Sequence, residues 1–148
     1  MAATAWTLWN KAKKNIGAGN IALSNSMTTL RMHLYTSAAT GFTTTATIST
    51  RASATGEVTQ GNGYLSAGYN LATVTWTAGA SAGQYALKAG NPVWTGTGGT
   101  IPNIKYAMIR HSSGKLLCWS KLTTSQFTLA QNNTLTIQFS ASGIFTLA

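Results

Sequence analysis

Apolar and polar residues alternate along much of the chain beyond residue 20, with the period of a β-strand. Every second residue from Leu30 to Leu34 is apolar, and the residues between them include Arg31 and His33. Residues 134–140 follow the same pattern. Successive side chains of a strand point to opposite faces of a sheet, so this alternation predicts strands that are buried on one face.

Turn signals separate about eight such short segments. The clearest are GNG at 61–63, SSG at 112–114, which predicts a hairpin connection, and QNN at 131–133. No repeat of fixed period is visible, which argues against a propeller or a solenoid. We therefore predict an all-β fold, an antiparallel β-sandwich of jelly-roll type. The length fits one domain, residues 1–148, with residues 1–19 as an N-terminal helical arm.

Residues 6–16 are the one segment with a helical pattern. Trp6, Trp9, Ala12 and Ile16 recur at spacings of three, three and four, and Gly17 offers a left-handed end to the helix. The two tryptophans are most simply core anchors beneath a sheet. The alternative is that they face a partner, because tryptophan dominates many interfaces.

Residues 37–60 are poor in large apolar side chains and rich in Thr, Ser, Ala and Gly. This composition predicts a long excursion from the sheet, with a possible edge strand at 44–50. Long connections of this kind often carry contacts with partners. Threonine suits a pleated surface, and a weakly charged face is cheap to desolvate against another chain.

The charge balance excludes most enzyme chemistry. The chain has ten Lys and Arg residues but only one carboxylate side chain, Glu57, and no Asp. Paired-carboxylate hydrolysis, a Ser-His-Asp triad and calcium or two-metal sites all need more acids. Cys118 lies among apolar residues and is best explained as a small buried hydrophobe. His33 and His111 occupy ordinary strand positions, so we predict no enzyme, no metal and no cofactor.

The formal net charge of +9 indicates an acidic partner. The bases are spread along the chain, and only Lys11, Lys13 and Lys14 form a cluster, whereas a nucleic-acid module normally shows a denser stripe. We therefore favour docking onto an acidic protein surface over nucleic-acid binding.

The sequence contains no apolar run of 18 residues, so we predict no transmembrane helix. The residues after Lys11, Lys13 and Lys14 do not form the hydrophobic core of a signal peptide. Glu57 is expected to pair with a base or to cap the turn near Gly61.

Several segments, in order, resemble small virion proteins of tailed bacteriophages. The first are LWNKAK at 8–13, NIG at 15–17, NIAL at 20–23 and TLRMHLYTS at 29–37. They are similar to the family's opening helix followed by two strands. EVTQGNGY at 57–64 is similar to the family's E-V-x-G-x-G-Y stretch with one extra residue. VWT at 93–95 with IKYAMI at 104–109 resembles the family's hairpin.

The end of the chain carries the last similarity and a departure. Phe139 with GIFTL at 143–147 resembles the family ending F-D-A-x-G-I-x-x-L, but Ser140 stands where that ending usually has Asp. The resemblance implies a capsid-associated structural protein, with jelly-roll cement or decoration proteins as the closest functional model. The loss of acids points to a different, acidic partner shell.

We therefore expect a capsid cement protein that binds the outer surface of the head and ties neighbouring major capsid subunits together. It would be made in the host cytoplasm, become part of the virion at the capsid surface, and self-associate as a dimer or trimer at local symmetry axes. The expected partner contacts are Trp6, Trp9, Lys11, Lys13, Lys14, Phe42 and Arg51.

Three alternatives stay open. A tail, neck or fibre-base component would have the same kind of β-sandwich and polar surface. A carbohydrate-binding module could use Trp76, Trp94 and Trp119 as stacking platforms, although sugar sites usually add acidic hydrogen-bonding partners. A nucleic-acid-binding protein would bind in a strongly salt-dependent manner.

Overall fold

The computed structural model describes residues 5–24, 30–43 and 48–148. Within these ranges the chain is all-β with antiparallel sheets and one short helix, which confirms the predicted fold class; jelly-roll topology stays a prediction. The helix is α1, Asn10–Gly17. The strands are β1 Thr7–Leu8, β2 Leu30–Tyr35, β3 Tyr69–Asn70, β4 Thr75–Ala78, β5 Tyr85–Lys88, β6 Val93–Thr95, β7 Ile101–Ile104, β8 Tyr106–His111, β9 Leu116–Lys121, β10 Phe127–Leu129, β11 Thr134–Thr136 and β12 Phe145–Leu147.

The largest sheet has five strands in the order β1-β9-β8-β2-β3. Its centre is formed by the three longest strands, in which β8 pairs antiparallel with β2 on one side and with β9 on the other. The predicted hairpin at 112–114 is confirmed, since it joins β8 to β9. Gly114 takes a φ of 84° there, a left-handed conformation that favours glycine.

Three smaller antiparallel groups accompany it among the described residues: β12-β5-β4, β10-β7 and β11-β6. Their apolar residues join those of the large sheet in one continuous core, which includes Leu87, Ile104 and Ile137. Cys118 is fully buried in that core, as its apolar neighbours predict. No helix within the described residues is long and apolar enough to cross a membrane.

The predicted helix at 6–16 is wrong at its start. Thr7 and Leu8 form β1, paired with Trp119 and Cys118 of β9, so the helix begins only at Asn10. Sheet pairing across the chain therefore overrides the helical spacing of the two tryptophans. The left-handed residue after the helix is Gly19, at a φ of 70°, whereas Gly17 is still helical.

The possible edge strand at 44–50 falls largely on residues 44–47, which lie outside the described residues. Of its remainder, Thr50 forms an isolated bridge with Lys115 beside the β8–β9 turn. Arg51–Ser53 then form a short 3-10 turn. The Arg51 N–H donates a hydrogen bond to the carbonyl of Gly114, which fixes this part of the excursion to the hairpin.

Candidate functional site

The residues that follow β2 cover one face of the five-stranded sheet. In an antiparallel pair, directly opposite residues point to the same face. Arg31 lies opposite Arg110, and Tyr35 lies opposite Tyr106, so these side chains share a face with His33. Sequence alternation predicts that this face is the more exposed one, yet His33 and Tyr35 are fully buried. We call residues 36–43 and 48–64 the covering segment, because side chains among them account for this burial.

Phe42 anchors the covering segment in a cluster of aromatic rings. Its ring centroid lies 4.9 Å from that of Tyr35, 5.0 Å from that of Tyr106, and 5.9 Å from those of Trp9 and Trp119. The indole N–H of Trp9 also donates a hydrogen bond to the carbonyl of Gly41, at 2.9 Å. Trp9 and Phe42, both expected to contact a partner, are buried here, and packing within the chain accounts for both.

Glu57 anchors the covering segment a second time, through four hydrogen bonds. Its Oε1 accepts from Nδ1 of His33 at 2.8 Å and from the hydroxyl of Tyr64 at 2.7 Å. Its Oε2 accepts from Nε and Nη2 of Arg51, at 3.0 and 2.6 Å. The predicted ion pair of Glu57 is thus confirmed, with Arg51 as its partner. Arg51, expected to face a partner, points its guanidinium inward to this carboxylate.

His33 is held as a neutral imidazole by its two neighbours. Arg110 donates from Nε to Nε2 of His33 at 2.8 Å. A guanidinium can only donate, so Nε2 carries no proton and the hydrogen lies on Nδ1, facing Glu57. Burial lowers the pKa of His33, against the opposing effect of the Glu57 carboxylate. The network therefore joins a neutral histidine to an ionised glutamate.

The same contacts set the ionisation of the other members of the network. Burial alone would raise the pKa of Glu57, but hydrogen bonds from His33, Tyr64 and Arg51 hold it below its usual value. Burial and the Glu57 carboxylate raise the pKa of Tyr64, so its hydroxyl stays protonated and donates. Tyr64 also accepts a hydrogen bond from the N–H of Leu34, at 3.2 Å, which ties it to β2.

We call His33, Arg51, Glu57, Tyr64 and Arg110 the Glu57 network. Its contacts hold the covering segment on the sheet. The network joins β2 and β8 to the covering segment, including its 3-10 turn, through charge-assisted hydrogen bonds. The His33 side chain has no exposed surface, so a substrate in solvent cannot reach the imidazole. Within the described residues, no three His, Cys, Asp or Glu side chains lie close enough together to hold a metal ion.

The remaining predicted contact residues lie at the N-terminal end of the described chain. Lys11, Lys13 and Lys14 are exposed on α1. Trp6 is half-buried, with its ring 5.6 Å from that of Phe139. A groove of about 690 Å³ opens beside Trp6, between β1 and β12. We call it the β1–β12 groove; its lining residues are 5–8, Lys13, Gln138, Ser140 and 143–148.

The three tryptophans considered as sugar platforms lie in different surroundings. Trp94 is buried, with its ring 5.2 Å from that of Tyr69. Trp119 packs in the aromatic cluster around Phe42. Trp76 alone stacks on a ring with a largely exposed side chain, that of Tyr85, at 5.9 Å and 21°. The structure does not bring the three together as one stacking face.

Comparison with protein-family models, curated proteins and solved structures gave no match. The similarity to virion proteins therefore rests on the sequence motifs alone.

Proposed function

We propose that this chain is a bacteriophage capsid cement protein. It binds the outer surface of the head and ties neighbouring major capsid subunits together, as a dimer or trimer at local symmetry axes. Its adhesion is non-covalent. A subunit that binds only the assembled lattice stabilises that lattice by mass action, by about 2.7 kcal/mol per site at a concentration of 100 Kd.

The observation that supports the proposal most is the one-sided charge of the surface. The single carboxylate side chain is enclosed in the Glu57 network, so every other charged side chain of the sequence is a cation. Lys11, Lys13 and Lys14 bring three of these cations together on α1. Such a surface complements an acidic lattice and steers docking onto it.

The double anchoring of the covering segment also supports an adhesive role. Association is weakened when loops must become ordered on binding. The Phe42 cluster and the Glu57 network hold these described residues on the sheet before any partner arrives, so the surface that they present is already in place. A multivalent lattice then multiplies the modest affinity of each site.

Co-sedimentation with empty capsids of the chain's own phage tests the proposal. We expect saturable binding in fixed proportion to capsid subunits, and we expect it to persist in high salt. The matched variants Lys14→Gln and Lys88→Gln each remove one exposed charge, on α1 and on β5 respectively. In a time course of capsid binding at low salt, Lys14→Gln should lower the association rate by about two- to threefold, and Lys88→Gln should not.

Other results would contradict the cement function. Binding to DNA that falls steeply with salt, without binding to capsids, would make this a nucleic-acid-binding protein. Binding to isolated tails or necks, and not to heads, would favour the alternative of a tail, neck or fibre-base component.

A further inference from the structure

The β1–β12 groove lies between two open sheet edges. β1 ends the order of the five-stranded sheet, and β12 ends the order of the three-stranded sheet. In the part of the chain that the structure describes, β1 pairs with β9 and β12 pairs with β5, each on one side only. An edge strand presents a row of N–H and C=O groups without a partner, which is a template for another strand.

The lining of the groove suits an extended peptide. Trp6 and Phe145 supply apolar wall, while Thr7 and Thr146 stand on the two edge strands. The indole N–H of Trp6 is buried and has no acceptor among the described residues. A buried donor without a partner is costly, and a carbonyl or carboxylate oxygen of an occupant would supply the missing acceptor.

The positive charge of the β1–β12 groove favours an acidic segment over a second copy of this chain as its occupant. Lys13 is the only charged side chain among the described residues that line it. A second copy of this chain would carry the same net charge of +9 and no exposed cluster of acids to pair with Lys13, which disfavours a second copy as the occupant. An acidic segment would instead gain an ion pair with Lys13 while its backbone pairs with an edge.

We propose that the β1–β12 groove binds an extended, acidic segment of the capsid protein, which adds as a β-strand to one of the two edges. The main chain of the segment supplies affinity, and its alternate side chains enter the groove. One carboxylate of the segment pairs with Lys13. This inference rests on the proposed function, because it assumes that the partner is the capsid lattice.

Cysteine labelling tests the groove and capsid binding in one experiment. The only native thiol, Cys118, is fully buried, and burial raises its pKa, so it does not react in the folded protein. Thr146→Cys places a thiol in the groove at the middle of β12. Thr128→Cys is the matched control, an exposed threonine at the middle of β10. Each variant is labelled with a maleimide, free and on empty capsids of its own phage.

Sedimentation then reports the proposed function, and labelling reports the groove. We expect both variants to pellet with capsids, with labelling slowed about tenfold at Thr146→Cys and little changed at Thr128→Cys. Capsid binding with equal labelling rates at the two positions would overturn the groove proposal and leave the cement function standing. Failure of both variants and of the native chain to bind capsids would overturn both proposals.

Two further measurements identify the occupant and its mode of binding. A photoreactive maleimide on Thr146→Cys should cross-link to a capsid peptide that contains Asp or Glu; a peptide without an acid would overturn the role given to Lys13. Hydrogen exchange should slow at the amides of β1 or β12 on capsids, because strand addition pairs them. Unchanged exchange at both edges would overturn strand addition.

Discussion

Replacing Glu57 with Gln exchanges one carboxylate oxygen for an amide group of nearly the same size. In the folded chain both oxygens of Glu57 face donors: His33 and Tyr64 on one side and Arg51 on the other. An amide has one acceptor oxygen and one NH₂ donor. Whichever way the amide turns, its NH₂ group meets at least one N–H or O–H that can no longer donate to it.

The stability lost in Glu57→Gln depends on how deeply the Glu57–Arg51 ion pair is buried. Removing one partner of a fully buried ion pair costs about 3–5 kcal/mol. The side chains of Glu57 and Arg51 keep 17% and 36% of their surface exposed, so water compensates part of the loss. We expect Glu57→Gln to lower the free energy of unfolding by about 2–3 kcal/mol. For a chain of 148 residues this corresponds to a Tm lower by about 6–9 °C.

Denaturant unfolding followed by tryptophan fluorescence measures this effect, with Lys88→Gln as the control. The control also removes one charge, but from an exposed position on β5, and should change stability by less than about 0.5 kcal/mol. The double variant Glu57→Gln/Arg51→Gln should lose less unfolding free energy than the two single variants lose together, because the two side chains form one pair. If Glu57→Gln lowers the free energy of unfolding no more than the control does, the stabilising role of the Glu57 network is refuted.

Three further predictions concern the same anchors. Stability should fall as the pH drops below about 6.5 and again below about 4.5, because the lowered pKa values of His33 and Glu57 make the unfolded chain bind protons first; a Tm that is constant from about pH 8 to pH 4 would contradict this. Gly68→Ala should cost more stability in denaturant titrations than Gly83→Ala: both glycines have positive φ, but a Cβ at Gly68 would lie 2.5 Å from Nε2 of His33, whereas Gly83 faces open space. Phe42→Ala should lower the free energy of unfolding by about 3–5 kcal/mol in the same titrations, and a loss below about 1 kcal/mol would show that the aromatic cluster does not hold the covering segment.

The sequence predicts well those features that depend on neighbouring residues. Period-two alternation locates β2 and β11, and the SSG turn locates the β8–β9 hairpin. These signals are local, because a strand exposes every second side chain to the same environment. The scarcity of acids also predicts correctly that Glu57 forms an ion pair.

The Glu57 network could not be assembled from the sequence, because its members are distant along the chain. His33 precedes Glu57 by 24 residues, and Arg110 follows His33 by 77. The alternation of β2 does place His33 on one face with Arg31 and Tyr35. It gives no sign, however, that the next segment returns to bury that face.

The predicted start of α1 was wrong for a related reason. Trp6 and Trp9 have helical spacing, but β1 pairs with β9 more than a hundred residues later. A local pattern cannot report such a partner. The β1–β12 groove is equally invisible in the sequence, because two distant segments form its walls.

The pairing of β1 with β9 has a consequence for the order in which the protein is made and folded. Thr7 and its partner Trp119 are 112 positions apart in the chain. At roughly 5–20 residues per second, synthesis of the intervening chain takes about 6–22 s. Pairings of such long range also fold slowly. Trp9 therefore leaves the ribosome well before Trp119 exists, and Trp6 well before Phe139, so a chaperone has time to hold both.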